Sequence, residues 1–333
     1  MTARAAWSGT GAAALRALDG AAVQGDVTFV ALHDERAGRA QRAAEARSIP
    51  RWTEDFRDML STGVDFVVLT GPLDARLGQV QLAAEQGASC LLHAPAAPDH
   101  ATMQAMVAIA AEHEVRIGVY TRYHADPVIE QLRRMIANDW MGGVTAVQAI
   151  NGDDALLRAG EVEHHANPFV ALASAHVHLA TWLTGRSARS VTAQTTRSYS
   201  PQLHDSGVAT LVLNGDTSCT FSASQLTQAD AFAIHGTDGG LRIAGDRIWL
   251  CGHRPFRGHV FDYDTAGTEL VLARQELQRS LAAQQGTNEL HGRFARWLDD
   301  TDDFPTPGEQ AVIDFQVVDA MAHAAALGVR VDL

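Results

Sequence analysis

Over the first 120 residues, short apolar runs alternate with segments in which apolar residues recur every three or four positions. The runs predict strands at Ala5–Trp7, Asp26–Leu32, Val64–Thr70, Cys90–Leu92 and Val115–Tyr120. The segments between them predict helices, the clearest being AAALRALDGA, FRDML and LGQVQLAAEQG. Strands that alternate with helices in this way are typical of a parallel sheet covered by helices on both faces.

After Tyr120 the pattern changes to long strands that follow one another. A helix at Asp126–Asn138 and a strand at Val144–Ile150 precede a helix at Pro168–Leu183, which Asn167 caps. The segments SVTAQTTRSY, GVATLVLNG, TSCTFSASQL and AFAIHGTDGGLRIAGDRIWL then predict an antiparallel sheet, with a hairpin signal at Asn214-Gly215. One more helix is predicted from Gln310 to Ala326.

These patterns predict an α/β protein of two domains. Residues 1–122 form a Rossmann-type domain in this interpretation. Residues 123–333 form an α+β domain with a large, mostly antiparallel sheet.

Composition narrows the possible partners and chemistries. The net charge is -13 and all 26 basic residues are Arg, so we expect neither nucleic acid nor a membrane surface as a partner. Without Lys, proton transfer falls to His, Tyr, Asp, Glu or Cys. The three scattered Cys suggest neither a disulfide framework nor a metal site. With no signal-peptide pattern or apolar run of membrane-spanning length, we expect a cytoplasmic protein.

A glycine-rich turn joins the first predicted strand to the first helix. Gly9–Ala14 reads Gly-x-Gly-x-x-Ala, which lets the backbone approach a pyrophosphate at a helix N-terminus. Asp34 closes the second strand, where a carboxylate binds a ribose 2′-hydroxyl and favours NAD, whereas Arg36 leaves NADP open. The alternative is that Gly9 and Gly11 only form a turn and that Asp34 is a solvated carboxylate without a ligand. The predicted cofactor contacts here are Gly9, Thr10, Gly11, Ala12, Asp34 and Arg36.

Over essentially its whole length the chain resembles the Gfo/Idh/MocA oxidoreductase family. The resemblance is carried by GTGAAALRAL, VDFVVLTGP, GVATLVLNGDTSCTFSAS, FAIHGTDGGLRI and PGEQAVIDFQVVDAMAHAAALGVRV. It implies an NAD(P)-dependent dehydrogenase or reductase of sugars, inositols or related polyols. It also implies that residues 1–122 are the dinucleotide-binding domain and that residues 123–333 serve substrate binding and oligomerisation. The implied assembly is a homodimer or homotetramer through the open face of the second sheet.

The proton-transfer residues depart from the family pattern. Where the family commonly has Glu-Lys-Pro, this chain has His93-Ala94-Pro95, so the usual Lys is absent. The resemblance implies further cofactor contacts at Gly71, Pro72, Arg76, His93 and Pro95. The Asp-x-x-x-His motif also departs. Counted back from Trp182 and Gly185 without a gap, its positions hold Ala171 and Ala175, whereas a one-residue shift would put His176 in the His position.

Three histidines could replace the missing acid or base. His93 lies at the end of a strand, and His176 and His178 lie two residues apart on one helix, so their side chains face nearly opposite ways. Packed or hydrogen-bonded histidines are the alternative at each position.

Substrate contacts are predicted at the domain junction and in the loop before the His-bearing helix. Arg122 could bind a carboxylate or phosphate group, or form an ion pair between domains. His164 and His165 are adjacent on this loop, so their side chains diverge. A solvated loop is therefore more plausible than a metal site. The predicted substrate contacts are Tyr120, Arg122, Tyr123, His164 and His165, and no metal is expected.

The leading hypothesis is an NAD(P)-dependent oxidoreductase acting on a sugar-like or other small hydroxylated or keto substrate, with His as acid/base. A redox-neutral lyase or glycosidase that retains NAD is one alternative. A non-redox biosynthetic enzyme or a non-catalytic subunit on the same fold is another. The redox hypotheses require that the turn from Trp7 to Ala14 be open rather than plugged by Arg36 or Arg76.

Overall fold

A computed structural model describes residues 2–22, 26–154, 167–199, 201, 203–253, 256–257, 262–263, 269–285 and 290–333. The chain forms two compact units. The first comprises Met1–Ala125 and Asn288–Ile313, and the second comprises Asp126–Thr287 and Asp314–Leu333.

The first unit is built on a six-stranded parallel sheet. Its strands are β1 Ala3–Ser8, β2 Val27–His33, β3 Arg51–Thr53, β4 Phe66–Leu69, β5 Ser89–His93 and β6 Ile117–Tyr120. They lie in the order β3-β2-β1-β4-β5-β6 and every pair is parallel. This doubly wound order turns direction beside β1, so the carboxyl ends of β1 and β4 meet at the topological switch point where such sheets bind ligands.

Five helices connect these strands. They are α1 Ala12–Ala22, α2 Arg39–Glu45, α3 Phe56–Leu60, α4 Leu73–Glu85 and α5 His100–Glu112. Asp55 and Asp99 cap the N-termini of α3 and α5, since each carboxylate accepts a hydrogen bond from a backbone N–H of the first turn. All residues of β4 are buried, as expected for a central strand covered on both faces.

The second unit begins with a helix, a strand and a helix that starts with one π-helical turn. These are α6 Pro127–Ala137, β7 Val144–Gly152, the π-helical segment Phe169–Ala173 and α7 Ser174–Thr184. Phe169 N–H donates to Asn167 Oδ1 at 2.9 Å, so the predicted capping residue is confirmed.

A nine-stranded sheet forms the rest of the second unit, together with a two-stranded ribbon. The further elements are β8 Ala188–Thr196, β9 Ser206–Leu213, β10 Ser218–Ser224, β11 Ala229–Gly236, β12 Gly239–Ala244, β13 Arg247–Gly252, β14 Phe256–Arg257, β15 Asp262–Tyr263, β16 Glu269–Ala273 and α8 Arg274–Gln285. Only β7 and β10 pair in parallel among the described pairs of the large sheet. The predicted fold class is therefore confirmed.

The chain closes with α9 Leu290–Leu298, α10 Gly308–Leu327 and β17 Val331–Asp332. Leu290 and Phe294 of α9 are fully buried in the core of the first unit, next to β1 and β4. Residues 288–313 thus return to the first unit, which differs from the single boundary predicted between residues 122 and 123. No helix in the described part of the chain is both long and apolar enough to cross a membrane.

Candidate functional site

The glycine turn between β1 and α1 is open on one side and tightly packed on the other. Gly9 has φ +107°, and a Cβ there would collide with Thr70 Oγ1 and lie 3.0 Å from Gly71 N. A Cβ at Gly11 would meet no atom within 4 Å. Trp7, buried in β1, donates from Nε1 to Gly9 O at 3.1 Å and so stabilises the turn. The open side lies at the N-terminus of α1, where backbone N–H groups favour an anion.

Asp34, at the end of β2, ties this turn to the neighbouring strand. Its Oδ2 accepts from Thr10 N–H at 3.0 Å and also from the Thr10 hydroxyl. Arg36 donates to the same carboxylate from its backbone N–H at 3.0 Å and from Nε and Nη2 at 2.9 Å. The Asp34 side chain is 5% exposed, whereas the Arg36 side chain is about half exposed.

The charge of Asp34 is held by these donors. Burial by itself raises the pKa of the carboxyl, but the hydrogen bonds from Arg36 and Thr10 outweigh that effect and hold the pKa well below its ordinary value. A fixed negative charge therefore stands at the position predicted to recognise the ribose.

Arg76 joins the loop after β4 to the loop after β5. Its guanidinium donates to Gly71 O at 3.0 and 3.2 Å, to His93 O at 2.7 Å, to Pro95 O, and to Ala96 O at 3.3 Å. The side chain is buried, so it fixes the backbone of both loops and does not enter the glycine turn. Gly71, Pro72 and Pro95 lie in these two loops.

His93 belongs to a cluster of aromatic rings at the carboxyl ends of β1, β5 and β6. Its ring stacks on Tyr120 with centroids 4.2 Å apart and meets Trp7 edge-on at 5.3 Å, with His291 of α9 at 5.7 Å. Its Nε2 is buried and has no hydrogen-bond partner among the described residues. Burial, followed by the nearby His291 and Arg76, lowers the pKa of His93 well below its ordinary value, so the imidazole is neutral at pH 7.

His176 is fully buried on α7, directly after the π-helical segment. Its Nδ1 lies 3.2 Å from Leu172 O, and because a carbonyl oxygen only accepts, Nδ1 carries the proton. Asn151 Nδ2 donates to the same carbonyl at 2.7 Å. The wider π-helical turn makes this carbonyl available to side chains, a feature frequent at functional sites.

His178 contacts a carboxylate of another helix. Its Nδ1 lies 2.7 Å from Asp314 Oδ2, and both side chains are buried, at 4% and 6% exposure. Asp314 belongs to α10, so the pair links α7 to α10 through two residues that are 136 positions apart in the chain. An ionised carboxylate accepts only, which places the imidazole proton on Nδ1 and leaves the buried Nε2 with a lone pair.

The predicted substrate contacts are described only in part. Arg122 is exposed, donates from Nη2 to the Tyr123 hydroxyl at 3.0 Å and lies over that ring at 5.0 Å. His164 and His165 lie outside the described residues. In the described part of the chain, no three His, Cys, Asp or Glu side chains converge as metal ligands.

The first unit thus brings the predicted cofactor residues together along one sheet edge, while His176 and His178 belong to the second unit. Trp7, His291 and Asp314 were not among the site residues predicted from the sequence. Asp314 carried a usable signal, because it is the one carboxylate within the apolar run AVIDFQVV of a predicted helix. His291 carried none, because no element was predicted around it.

Two family models match the sequence. Residues 4–121 match the model described as oxidoreductase family, NAD-binding Rossmann fold, and residues 129–242 match the GFO/IDH/MocA C-terminal domain. No curated protein sequence matches the chain significantly.

Several solved structures share the fold over the full length of the chain. WlbA dehydrogenase from Bordetella pertussis, in complex with NADH and UDP-GlcNAcA, has a TM-score of 0.84 at 21% identity, covering 100% of this chain and 98% of that one. An oxidoreductase from Agrobacterium radiobacter, in complex with NAD+, L-tartaric acid and magnesium, has a TM-score of 0.82 at 17% identity with the same coverage. Aldose-aldose oxidoreductase from Caulobacter crescentus, complexed with glycerol, has a TM-score of 0.81 at 16% identity, covering 100% of both chains.

At these identities the solved structures establish the fold, and the family models establish the relationship. The chain belongs to the Gfo/Idh/MocA oxidoreductase family, with its NAD-binding Rossmann domain at the N-terminus and its C-terminal domain after it.

Proposed function

We propose that this protein is an NAD-dependent oxidoreductase that interconverts a hydroxyl and a carbonyl on a sugar-like or other small polyhydroxylated substrate. The observation that carries the proposal is the open glycine turn. Gly9 can take its backbone conformation only as glycine, Gly11 leaves free space where a pyrophosphate would lie, and Asp34 stands beside both.

The residues of this turn fit a dinucleotide. Gly9, Thr10, Gly11 and Ala12 would hold the pyrophosphate through backbone N–H groups at the start of α1. The bound cofactor would supply the hydride acceptor or donor. The protein's part is to align the reacting carbons and to move one proton.

Charge favours NAD over NADP at this site. A 2′-phosphate would approach the fixed charge of Asp34. Glu35 is next to Asp34 in the chain, and the carboxylate of Glu54, which follows β3, accepts from Gly38 N–H at 2.8 Å. The Arg36 guanidinium is already engaged with Asp34. A ribose hydroxyl needs only an acceptor oxygen, which Asp34 offers once Arg36 swings outward.

Among the candidate acids and bases, His178 suits the proton transfer best. Its contact with Asp314 fixes the tautomer and would stabilise the imidazolium that forms when the ring takes a proton. Burial, followed by the nearby His291 and Arg76, lowers the pKa of His93 well below its ordinary value, so His93 holds a proton poorly and suits a polar contact to cofactor or substrate better than proton delivery. His176 has its Nδ1 proton committed to its own helix.

The suggested substrate class follows from relatives of the same fold. Their solved structures hold a nucleotide sugar acid, tartaric acid and glycerol, which all carry adjacent hydroxyl groups. Arg122, exposed at the end of β6, could pair with a substrate carboxylate or phosphate.

The test is a turnover screen. Purified protein with NAD+ or NADP+ is mixed with polyols, aldoses, uronic acids and hydroxy acids, while reduced nicotinamide and organic product are both measured. We expect product and reduced nicotinamide in equal amounts, with His178→Gln costing about 10²–10⁴ in kcat.

Two results would contradict the proposal. Product without net nicotinamide reduction would favour a redox-neutral enzyme that retains NAD. Folded protein that turns over no compound with either dinucleotide would favour a non-redox or non-catalytic role.

A further inference from the structure

The turn of helix that carries His178 is unusually polar for a buried segment. Ser174, His176 and His178 are 7%, 0% and 3% exposed, and Asp314 on α10 is 4% exposed. A helix that only packed against its neighbours would be more stable with apolar residues at these positions.

Burial makes the His178–Asp314 pair a weak source of stability. Removing both groups from water costs several kcal/mol per ion, and a well-packed apolar pair of similar volume is often neutral or stabilising by comparison. The pair is therefore poorly explained as a structural link between α7 and α10, although a chemical task would account for it.

The geometry is that of a carboxylate orienting an imidazole. A contact of 2.7 Å between Nδ1 and Oδ2 is a short charge-assisted hydrogen bond, and it fixes both the ring rotation and the tautomer of His178. In the catalytic triad of serine proteases a buried aspartate performs the same two tasks, and its exchange for asparagine leaves the wrong tautomer.

We propose that Asp314 is a positioning residue that sets His178 as the acid/base of this enzyme. The assignment rests on the proposed function. In the oxidation direction His178 Nε2 would accept the proton that the substrate hydroxyl releases, and a bound dinucleotide would supply the hydride acceptor. A C=O bond forms, and the imidazolium shares its charge with the Asp314 carboxylate; reduction runs the same step backwards.

The decisive variant is Asp314→Asn, which keeps the shape and removes the charge. We expect kcat on the substrate identified by the screen to fall by about 10²–10⁴, while the Kd for NAD+ stays within about twofold. In a His178→Gln background the same change should cost less than about twofold, because residues that act as a unit are not additive.

A spectroscopic readout tests the geometry without turnover. With ¹⁵N-labelled histidine, the His178 ring of the wild-type protein should show a protonated Nδ1 and an unprotonated Nε2, and Asp314→Asn should shift the ring toward the other tautomer. An unchanged tautomer in the variant would overturn the assignment.

The matched control is Asp126, a buried carboxylate in the same unit. It accepts from Arg274 Nε at 3.0 Å and Nη2 at 2.6 Å. Asp126→Asn should lower the melting temperature and leave kcat within about twofold.

The double variant His178→Leu with Asp314→Leu covers the case in which Asp314→Asn does not fold. We expect it to melt at or above the wild-type temperature and to lose turnover. Wild-type turnover in Asp314→Asn would overturn the role of Asp314 alone, and wild-type turnover in the double variant would overturn the roles of both His178 and Asp314. A wild-type protein without any turnover would instead contradict the proposed function.

Discussion

His93 shows how one buried side chain can make the stability of the first unit depend on pH. Its pKa is lowered mainly by burial, so in the folded state the ring stays neutral at a pH where the unfolded chain binds a proton. Stability from this group is therefore fully present above about pH 6.5 and is lost as the pH falls toward the lowered folded pKa.

We predict that the free energy of unfolding depends more steeply on pH in the wild-type protein than in His93→Phe. This variant keeps a ring against Tyr120 but cannot titrate. Below about pH 6.5 the wild-type free energy of unfolding should fall by about 1.4 kcal/mol per pH unit more than that of the variant. Urea unfolding between pH 7.5 and 5.5 measures both. His323→Asn, at an exposed position of α10, should keep the wild-type slope. Parallel curves for wild type and His93→Phe would show that His93 is not buried as described.

The residues of the site were predictable to different degrees. Gly9, Gly11 and Asp34 could be found because backbone approach and ribose recognition restrict the residue types at fixed spacings. The tautomer of His178 could not, because it depends on Asp314, and no local pattern links positions 136 apart.

At the scale of elements, two loops of the parallel sheet are held by one side chain. Arg76 on α4 satisfies carbonyl oxygens of the loop after β4 and of the loop after β5. Buried carbonyl groups without a partner cost free energy, so these loops depend on the guanidinium for their shape.

We predict that Arg76→Met lowers the free energy of unfolding by about 2–4 kcal/mol, because several buried carbonyl oxygens lose their donor. Guanidinium chloride unfolding is the measurement. Arg51→Met is the control, since the ion pair of Arg51 with Asp58 is about half exposed and should contribute less than about 1 kcal/mol. Equal losses in the two variants would refute the bridging role of Arg76.

Strands and helices were predicted correctly where the hydrophobic pattern was strong and extended over many residues. Strands β2, β4 and β5 and helices α1 and α4 were found within a few residues. Strand β3 has three residues and was missed, as was the π-helical turn before α7, which has the same apolar pattern as an ordinary helix. Helix α9 was missed because its polar face dominates the segment LHGRFARWL.

At the scale of the molecule, alternating strands and helices predicted the parallel sheet and consecutive strands predicted the antiparallel sheet, whereas the order of the strands within each sheet was not predicted. The return of residues 288–313 to the first unit did not follow, because a chain reversal between units leaves no periodic signal.

The predicted homodimer or homotetramer stays a prediction, and the second unit offers a surface for it. Ile150, Ser222 and Val208 lie side by side on β7, β10 and β9, and the two hydrophobic members of this row are about half exposed. Val271 and Trp249 are neighbours on β16 and β13 in the same sheet.

The central claim is that the turn between β1 and α1 binds NAD, and a calorimetric titration of the whole chain tests it most directly. Wild-type protein, Gly11→Ala and Gly78→Ala are each titrated with NAD+ and NADP+. Gly11 and Gly78 both have open space around a new Cβ, so both variants should fold, and only Gly11→Ala places a methyl group in the pyrophosphate position.

We predict saturable binding of one NAD+ per chain, weaker binding of NADP+, and at least a tenfold loss of NAD+ affinity in Gly11→Ala but not in Gly78→Ala, roughly 1.4 kcal/mol or more. Folded wild-type protein that binds neither dinucleotide, or Gly11→Ala that binds NAD+ as tightly as wild type, would contradict the account.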